Sequence, residues 1–543
     1  MEGPSPAPQR APPARRTLLL ALAGALIAST SGALWSWLLH AQPVDDAYIS
    51  LRAAVHLAQG GGPLFNLGAR VESASSPLWV ALSALLIRCG MGPLAALDLL
   101  GAAALAAAGA AVSLLAADAA GLAAGLGAAL LLSLFPAWSC WTLSGLETAL
   151  AAATLAFALR SALRGRTIAR ASLAGFAATL AAAARPESIA LLPLLGLAVW
   201  AASGPRRARR AAAFALAAIV PLAVLLLARH AYFGEWLPNT YIAKVSGGGL
   251  PLHLRGARYV AALLGIHAPL ALGAAAALAI TLRGGRRPAT LHLLRSPGAL
   301  CALAFATLCA ALAWDGGDHF PLFRLAVPAL PLALAATLSA LASAPARWRP
   351  GLGALALAAL LCSAFAESRY SSSEASFSQT GDLARYQVEL GVAQRAVQAG
   401  RALQTTPCGR VAAVAIGAIG YESGLSILDL VGIADSTIAR SPHLAGAAAG
   451  HDHADVNYVL KAAPDCVVFI PELSVDALDD TRERSWLSER RAYYQSALLL
   501  LDAPLFQQRW TARDLQFEPG IHLRVWIRRD LLSHEDAPSA ARQ

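Results

Sequence analysis

Charge is what this chain has least of. Only 14% of its 543 residues are Asp, Glu, Lys or Arg, against about 25% in soluble domains. With 57% hydrophobic residues and a mean hydropathy of +0.54, an ordinary soluble enzyme is excluded and a polytopic membrane protein is indicated. The seven cysteines contain no CxxC pair, which argues against a thiolate zinc site. Five of them lie in or beside apolar runs. Only Cys408 and Cys466 fall in the C-terminal region, where one disulfide can form if that region is extracytoplasmic. Gly417-Ala418-Ile419-Gly420 lacks both GxGxxG and the P-loop lysine, which removes the nucleotide-binding reading. No internal repeat is evident, which weighs against a transporter built from inverted halves.

The net charge of +10 does not point to nucleic acid. The basic residues sit in short loops between apolar runs: Arg10, Arg15 and Arg16; Arg160 to Arg170; Arg206 to Arg210; Arg283 to Arg287; Arg347 and Arg349. That is the positive-inside pattern of cytoplasmic loops. Apolar runs suited to spanning occur near 17–39, 94–117, 119–138, 146–160, 171–185, 187–202, 211–229, 259–282, 296–314, 322–344 and 350–366. The run 77–89 is short. If it lies in the interface or re-enters, every Arg-rich loop falls inside. About eleven spans follow, with a cytoplasmic N-terminal tail over 1–16 and a transmembrane domain over 17–366.

This parity gathers the other polar segments on the outer face. They are the first outer loop, 40–76, with Asp45, Asp46, Arg52, Asn66 and Glu72; 140–148 with Glu147; Arg185-Pro186-Glu187; 230–258 with Asn239 and Lys244; and 315–321 with Asp315, Asp318 and His319. Carboxylates add little to orientation, so these charges need another explanation. Bland readings exist for several: Glu147 as a helix cap, Arg185-Pro186-Glu187 as a turn with a local ion pair, Lys244 as a lipid-headgroup contact, and Asp45-Asp46 as a helix boundary.

After the spans, 367–380 reads as a Ser-rich linker and 381–543 as an extracytoplasmic α/β or α+β domain. A mixed-charge helix is expected over about 382–404 and another from Asp479 to Tyr494. Strands are expected at Val411–Ile416, Cys466–Ile470 and, with period-two alternation, His522–Ile527. His451-Asp452-His453-Ala454-Asp455 has the residue types of a metal site but reads more simply as a polar loop.

One ordered set of motifs stands out. It comprises Asp45-Asp46-Ala47-Tyr48 with Arg52, Gly60-Gly61-Gly62-Pro63-Leu64-Phe65-Asn66, Arg70-Val71-Glu72-Ser73, Ser144-Gly145-Leu146-Glu147-Thr148, Arg185-Pro186-Glu187, Phe233-Gly234-Glu235-Trp236-Leu237-Pro238-Asn239, and Asp315-Gly316-Gly317-Asp318-His319 with Arg324. Ala415-Ile416-Gly417-Ala418-Ile419-Gly420-Tyr421 and Gly450-His451 follow in the tail. Together these resemble the GT-C superfamily of polytopic glycosyltransferases, and in it the branch of mycobacterial terminal arabinofuranosyltransferases, over nearly the whole chain. The resemblance implies a GT-C-like helical membrane domain and transfer of a sugar from a polyprenyl phosphate to a cell-envelope glycan or glycolipid. Transfer would take place at the outer face of a bacterial cytoplasmic membrane, with an acidic residue of the first outer loop as base. The chemistry stands on its own: an acceptor hydroxyl needs a carboxylate to take its proton, and a lipid-phosphate leaving group needs cationic and hydrogen-bonding groups.

Asp45 and Asp46 are the expected catalytic pair, with Asp45 favoured as base because the superfamily's acid opens this loop. Arg52, Arg185, Lys244, His319 and Arg324 are candidates for donor phosphate. Asn66, Glu72, Glu147, Glu187, Asn239, Asp315 and Asp318 are candidates for substrate. No cofactor is required, although Asp45, Asp46 and Asp315 would also suit a divalent cation. The expected partners are the lipid-phosphate sugar donor, the acceptor and membrane lipid, with no nucleic acid. The competing reading is a transporter or lipid flippase, which predicts charges in mid-span and broken helices.

Overall fold

A computed structural model describes residues 14–284, 289–370, 381–448, 450–470, 479–518 and 521–532. The Ser-rich stretch 371–380 and most of the N-terminal tail lie outside the described residues. Six helices are long and apolar enough to cross a membrane: Ala14–Leu39, Pro93–Ala120, Arg207–Phe233, Pro297–Trp314, Arg324–Ala342 and Arg349–Arg369. Two bent pairs and shorter apolar helices complete the bundle, and each expected apolar run corresponds to a helical segment. The chain is an α-helical polytopic membrane protein with a small C-terminal sheet domain.

Ala and Gly build the bundle by letting backbones meet. Gly24 and Gly109 face each other where Ala14–Leu39 packs on Pro93–Ala120: a Cβ on either would overlap the other's carbonyl. Outward positions carry large apolar groups, with Trp37 72% and Leu216 64% exposed, as expected for a surface solvated by lipid.

Two expected spans are broken. The run 119–138 divides into Leu122–Leu132 and Pro136–Thr142, bent by 74°. The run 259–282 belongs to two helices, Gly249–Ile266 and Ala268–Gly284, which meet at 90°. Pro269 supplies no N–H to continue the first helix. His267, 1% exposed, turns its Nε2 to Glu367 Oε1 at 3.0 Å. Glu367 Oε2 accepts from the Ala137 amide at 3.1 Å. One buried carboxylate therefore ties both breaks together. The short run 77–89 is a helix, Pro77–Arg88, about 18 Å long at 1.5 Å per residue. It packs on the Asp45–Ala58 helix through Ala53, Ala54, Val80 and Ala84.

The two classes of loop lie at opposite ends of the bundle. At one end, Arg160 and Arg164 pair with Asp118, Arg210 donates to the Gly165 and Ala202 carbonyls, and Arg295 donates to the Ala201 carbonyl. Arg210 is 1% exposed, so these basic residues also tie loops together, a role that a topology signal alone does not require.

In the tail, the expected 382–404 helix is Asp382–Leu403. The sheet has order β2-β1-β3-β5-β4, with β1 Arg410–Ala413, β2 Ser426–Asp429, β3 Cys466–Val468, β4 Trp510–Glu518 and β5 Ile521–Arg528. β1 lies parallel to both β2 and β3, while β5 is antiparallel to β3 and β4. Cys408 and Cys466 form a disulfide. The single helix expected over 479–494 is two, Asp480–Glu489 and Arg491–Leu501, divided at Arg490 (φ −111°, ψ 25°).

Candidate functional site

A cavity of about 550 Å³ lies where the second set of loops converges. Its apolar lining includes Leu222, Leu225, Leu226, Leu237 and Trp314. Its polar lining includes Asp46, Glu147, Arg185, Glu187, Lys244, Asp315, Asp318 and Arg324, all expected from sequence. Arg229 and Arg255 also line it and were not foreseen. Arg229 closes the apolar run 211–229, with no local sign of a site.

Arg324 organises the polar lining. Leu322 and Phe323 before it adopt left-handed conformations, φ +57° and +48°, which cost about 1–3 kcal/mol each. Asp382 of the tail helix stabilises this turn by accepting from the Leu322 amide at 2.9 Å. The Arg324 guanidinium reaches Asp46 Oδ2 at 2.9 Å and Asp318 at 2.7 and 3.2 Å, over the Phe320 ring. Burial opposes ionisation of Asp46 and Asp318. The charges of Arg324 and Lys244 overcome it, and both carboxyls are held below the ordinary value of 3.8. Arg185 Nη1 meets Glu147 Oε1 at 3.0 Å. Arg185 Nη2 and Glu187 Oε2 are buried with no hydrogen-bond partner among the described residues. Asp315 is different: burial, with the nearby Glu187 charge, pushes it up to about 7.

The remaining expected site residues are elsewhere. Asp45 does not line the cavity. Its Oδ1 accepts from the Ala418 amide at 2.8 Å and its Oδ2 from the Gly417 amide at 3.0 Å, capping the Gly417–Ser423 helix of the tail. Burial, aided by the Asp46 charge, pushes Asp45 up to about 6 against those two amides. Arg52 is buried against Phe65 and donates to the Gly420 and Leu425 carbonyls. Asn66 exchanges two hydrogen bonds with the Ile427 backbone, at 2.7 and 3.0 Å. Asn239 donates to the Gly432 and Ile433 carbonyls at 2.7 and 2.9 Å. Arg52, Asn66 and Asn239 instead fasten the tail domain by bonding its backbone. Glu72 forms a two-pronged pair with Arg229, at 2.6 and 3.1 Å, and so holds a cavity-lining arginine without lining the cavity itself. His319 packs on Phe320 and His451. It does not line the cavity, and burial, with the His451 charge, pushes it down to about 3, which disfavours the cationic form.

Sequence reasoning missed Glu389. It lies on the Asp382–Leu403 helix, and burial, with the charges of Asp46 and Asp45 nearby, pushes it up to about 7 against the opposing Arg385. It sits on the mixed-charge helix expected over about 382–404, with no local sign of its burial. Among the described residues, no trio of metal-ligating side chains converges at Asp45, Asp46 and Asp315.

The solved structure of ArnT from Cupriavidus metallidurans bound to undecaprenyl phosphate superposes with a TM-score of 0.53 at 14% identity, covering 96% of this chain and 100% of that one. The chain has a GT-C-type fold. The archaeal oligosaccharyltransferase AglB from Archaeoglobus fulgidus, in complex with an inhibitory peptide and a dolichol-phosphate, matches at 12% identity and a TM-score of 0.46, over 96% of this chain and 75% of that one. A family described as a domain of unknown function (DUF8728) matches residues 383–517, within the tail domain. No curated protein matches the chain.

Proposed function

We propose that this chain is a membrane glycosyltransferase that moves one sugar from a polyprenyl-phosphate donor to a hydroxyl of a cell-envelope glycan or glycolipid. The observation that carries the reading is the Asp46 carboxylate, paired with Arg324 in a cavity that leucines and Trp314 also line. That ArnT was solved with undecaprenyl phosphate adds support from a protein of the same fold.

In this reading Asp46, not Asp45, is the base, because Asp46 faces the cavity and both oxygens of Asp45 are occupied by tail amides. Asp46 takes the acceptor's O–H proton as the hydroxyl oxygen bonds to the anomeric carbon. The bond from that carbon to the phosphate oxygen breaks, and polyprenyl phosphate leaves with the electron pair. Arg185 Nη2, Lys244 and Arg324 balance the phosphate charge, and the leucines take the first isoprene units. Direct displacement of this kind inverts the anomeric configuration. The cavity lies on the extracytoplasmic side, a placement supported by the Arg-rich loops at the opposite end of the bundle and by the Cys408–Cys466 disulfide of the tail.

One observation favours a lipid translocator: the two broken helices and their buried His267–Glu367 pair. That pair lies off the cavity and fastens helices, so the enzyme reading stands. The test is a proteoliposome assay with radiolabelled polyprenyl-phosphate sugars and envelope acceptors, with the anomeric configuration of the product determined. A new, inverted glycosidic bond is expected. Lipid flipping without a glycosylated product from any donor would replace this reading with the translocator.

A further inference from the structure

Beside the cavity but outside it, the tail domain holds a second cluster of ligating side chains: His443, Asp452 and His453. Their ligand atoms all lie within 4.8 Å of one another. His443 and His453 pair across a short antiparallel bridge, which brings the two rings to 4.4 Å between centroids. The polar loop expected at 451–455 thus acquires a third ligand from a residue nearly a strand away in sequence.

The hydrogen bonds fix what each ring offers. His453 Nδ1 lies 2.6 Å from the Ser441 carbonyl, and a carbonyl only accepts, so Nδ1 carries the proton. Nε2 then bears a lone pair. It is buried without a hydrogen bond of ordinary geometry, and the Ala243 carbonyl lies near the ring as a further acceptor. His443 Nε2 faces the Ser246 carbonyl at 3.0 Å and by the same logic carries the proton. Its Nδ1 lies 2.9 Å from Asp452 Oδ2, so a proton lies between them, and a metal ion bound there would take that proton's place. Asp452 Oδ1 is also buried without a partner, on a residue 6% exposed. His453 Nε2 and Asp452 Oδ1 are thus two buried acceptors without a donor, which a cation between them would satisfy. Histidines that donate their outer N–H to backbone carbonyls while turning the other nitrogen inward are the usual second shell of a metal site.

We infer that His443 Nδ1, Asp452 and His453 Nε2 bind a divalent transition-metal ion of the zinc class, with water as a fourth ligand. Bonds of about 2.1 Å place tetrahedral ligands about 3.4 Å apart, so the His443–Asp452 pair, at 2.9 Å, opens slightly while the third ligand, within 4.8 Å of the others, closes in. The ion fastens the tail to the loop that follows Lys244. His443 bonds Ser246 of that loop, and Gly450, at φ +75°, lets the Lys244 stem pass where a Cβ would press on it. The ion therefore holds the lysine whose charge acts on Asp46 and Asp318, without touching the reacting atoms.

The test is zinc titration of the full chain, purified in detergent without a polyhistidine tag and stripped with chelator, read by calorimetry. The optical spectrum of the cobalt(II) form gives the coordination geometry. The expected result is stoichiometric binding, tetrahedral cobalt bands, and a loss in affinity of about 100-fold or more in Asp452→Asn and His453→Gln. If those buried variants do not fold, the half-exposed His443→Asn carries the comparison. No saturable binding by the folded wild type would overturn the inference and leave a protonated His443 salt-bridged to Asp452. Binding unchanged in the folded variants would overturn it equally. Neither outcome depends on whether the cavity performs sugar transfer.

Discussion

Asp45 and Asp46 are neighbours on one helix, yet they belong to different regions of the molecule. Asp45 looks to the joint between bundle and tail, where its two oxygens take backbone amides. Asp46 looks into the cavity, where its partner is a buried guanidinium. The same division runs through the whole first outer loop: Arg52 and Asn66 bond tail backbone, whereas Ser73 and Ser75 line the cavity. Polar residues that share a loop therefore need not share a job. A carboxylate facing amides is structural currency, and one facing a cation and open volume is available to a substrate.

The largest effect expected from breaking this division is at Asp46. Asp46→Asn keeps the shape but cannot take a proton, and transfer should fall by about 10²–10⁴ in kcat, measured as product formed at saturating donor. Arg185→Gln comes next. It removes the unpartnered Nη2 and leaves the buried Glu147 without its cation, so KM for the lipid-phosphate donor should rise by about tenfold or more, accompanied by a lower melting temperature.

Asp45→Ala should act on the joint. It removes the cap of the Gly417–Ser423 helix at about 0.5–2 kcal/mol. Protease sensitivity of the tail is expected to rise, with kcat changed less than about tenfold. The smallest and sharpest test is pH. Asp46 is held below 3.8, so it stays ionised from there upward and contributes no acid limb near neutrality. Asp45 titrates at about 6, above its unfolded value. Between 3.8 and about 6 the native state holds the extra proton, so its contribution to stability falls as pH rises through that window. The stability gap between wild type and Asp45→Asn should therefore narrow with rising pH. The rate profile of Asp45→Asn should match that of wild type, with no acid limb near pH 6 in either. A limb near pH 6 that vanishes in Asp45→Asn would instead give Asp45 the role of base.

Much of the bundle was legible because lipid imposes a simple code. Apolar length gave the helical segments, and the Arg-rich loops separated one end from the other. The convergence of Glu147, Arg185, Lys244, Asp315, Asp318 and Arg324 followed from that parity. What was not legible depends on partners hundreds of residues away. Nothing near Asn66 says that its amide will match the backbone of Ile427, and nothing near Asp45 says that a helix of the tail will begin against it. The break at His267 had a local signal in Pro269, but its cause, Glu367, lies in another helix. Glu389 and Arg229 escaped notice because amphipathic and helix-end charges are common and usually solvated.

The measurement that tests the central claim most directly sets Asp46→Asn beside Asp45→Asn in the same vesicles, reading donor binding and sugar transfer separately. The account predicts that Asp46→Asn binds donor but does not transfer, and that Asp45→Asn does both. Transfer by Asp46→Asn at the wild-type rate, or its loss in a folded, donor-binding Asp45→Asn, would contradict it.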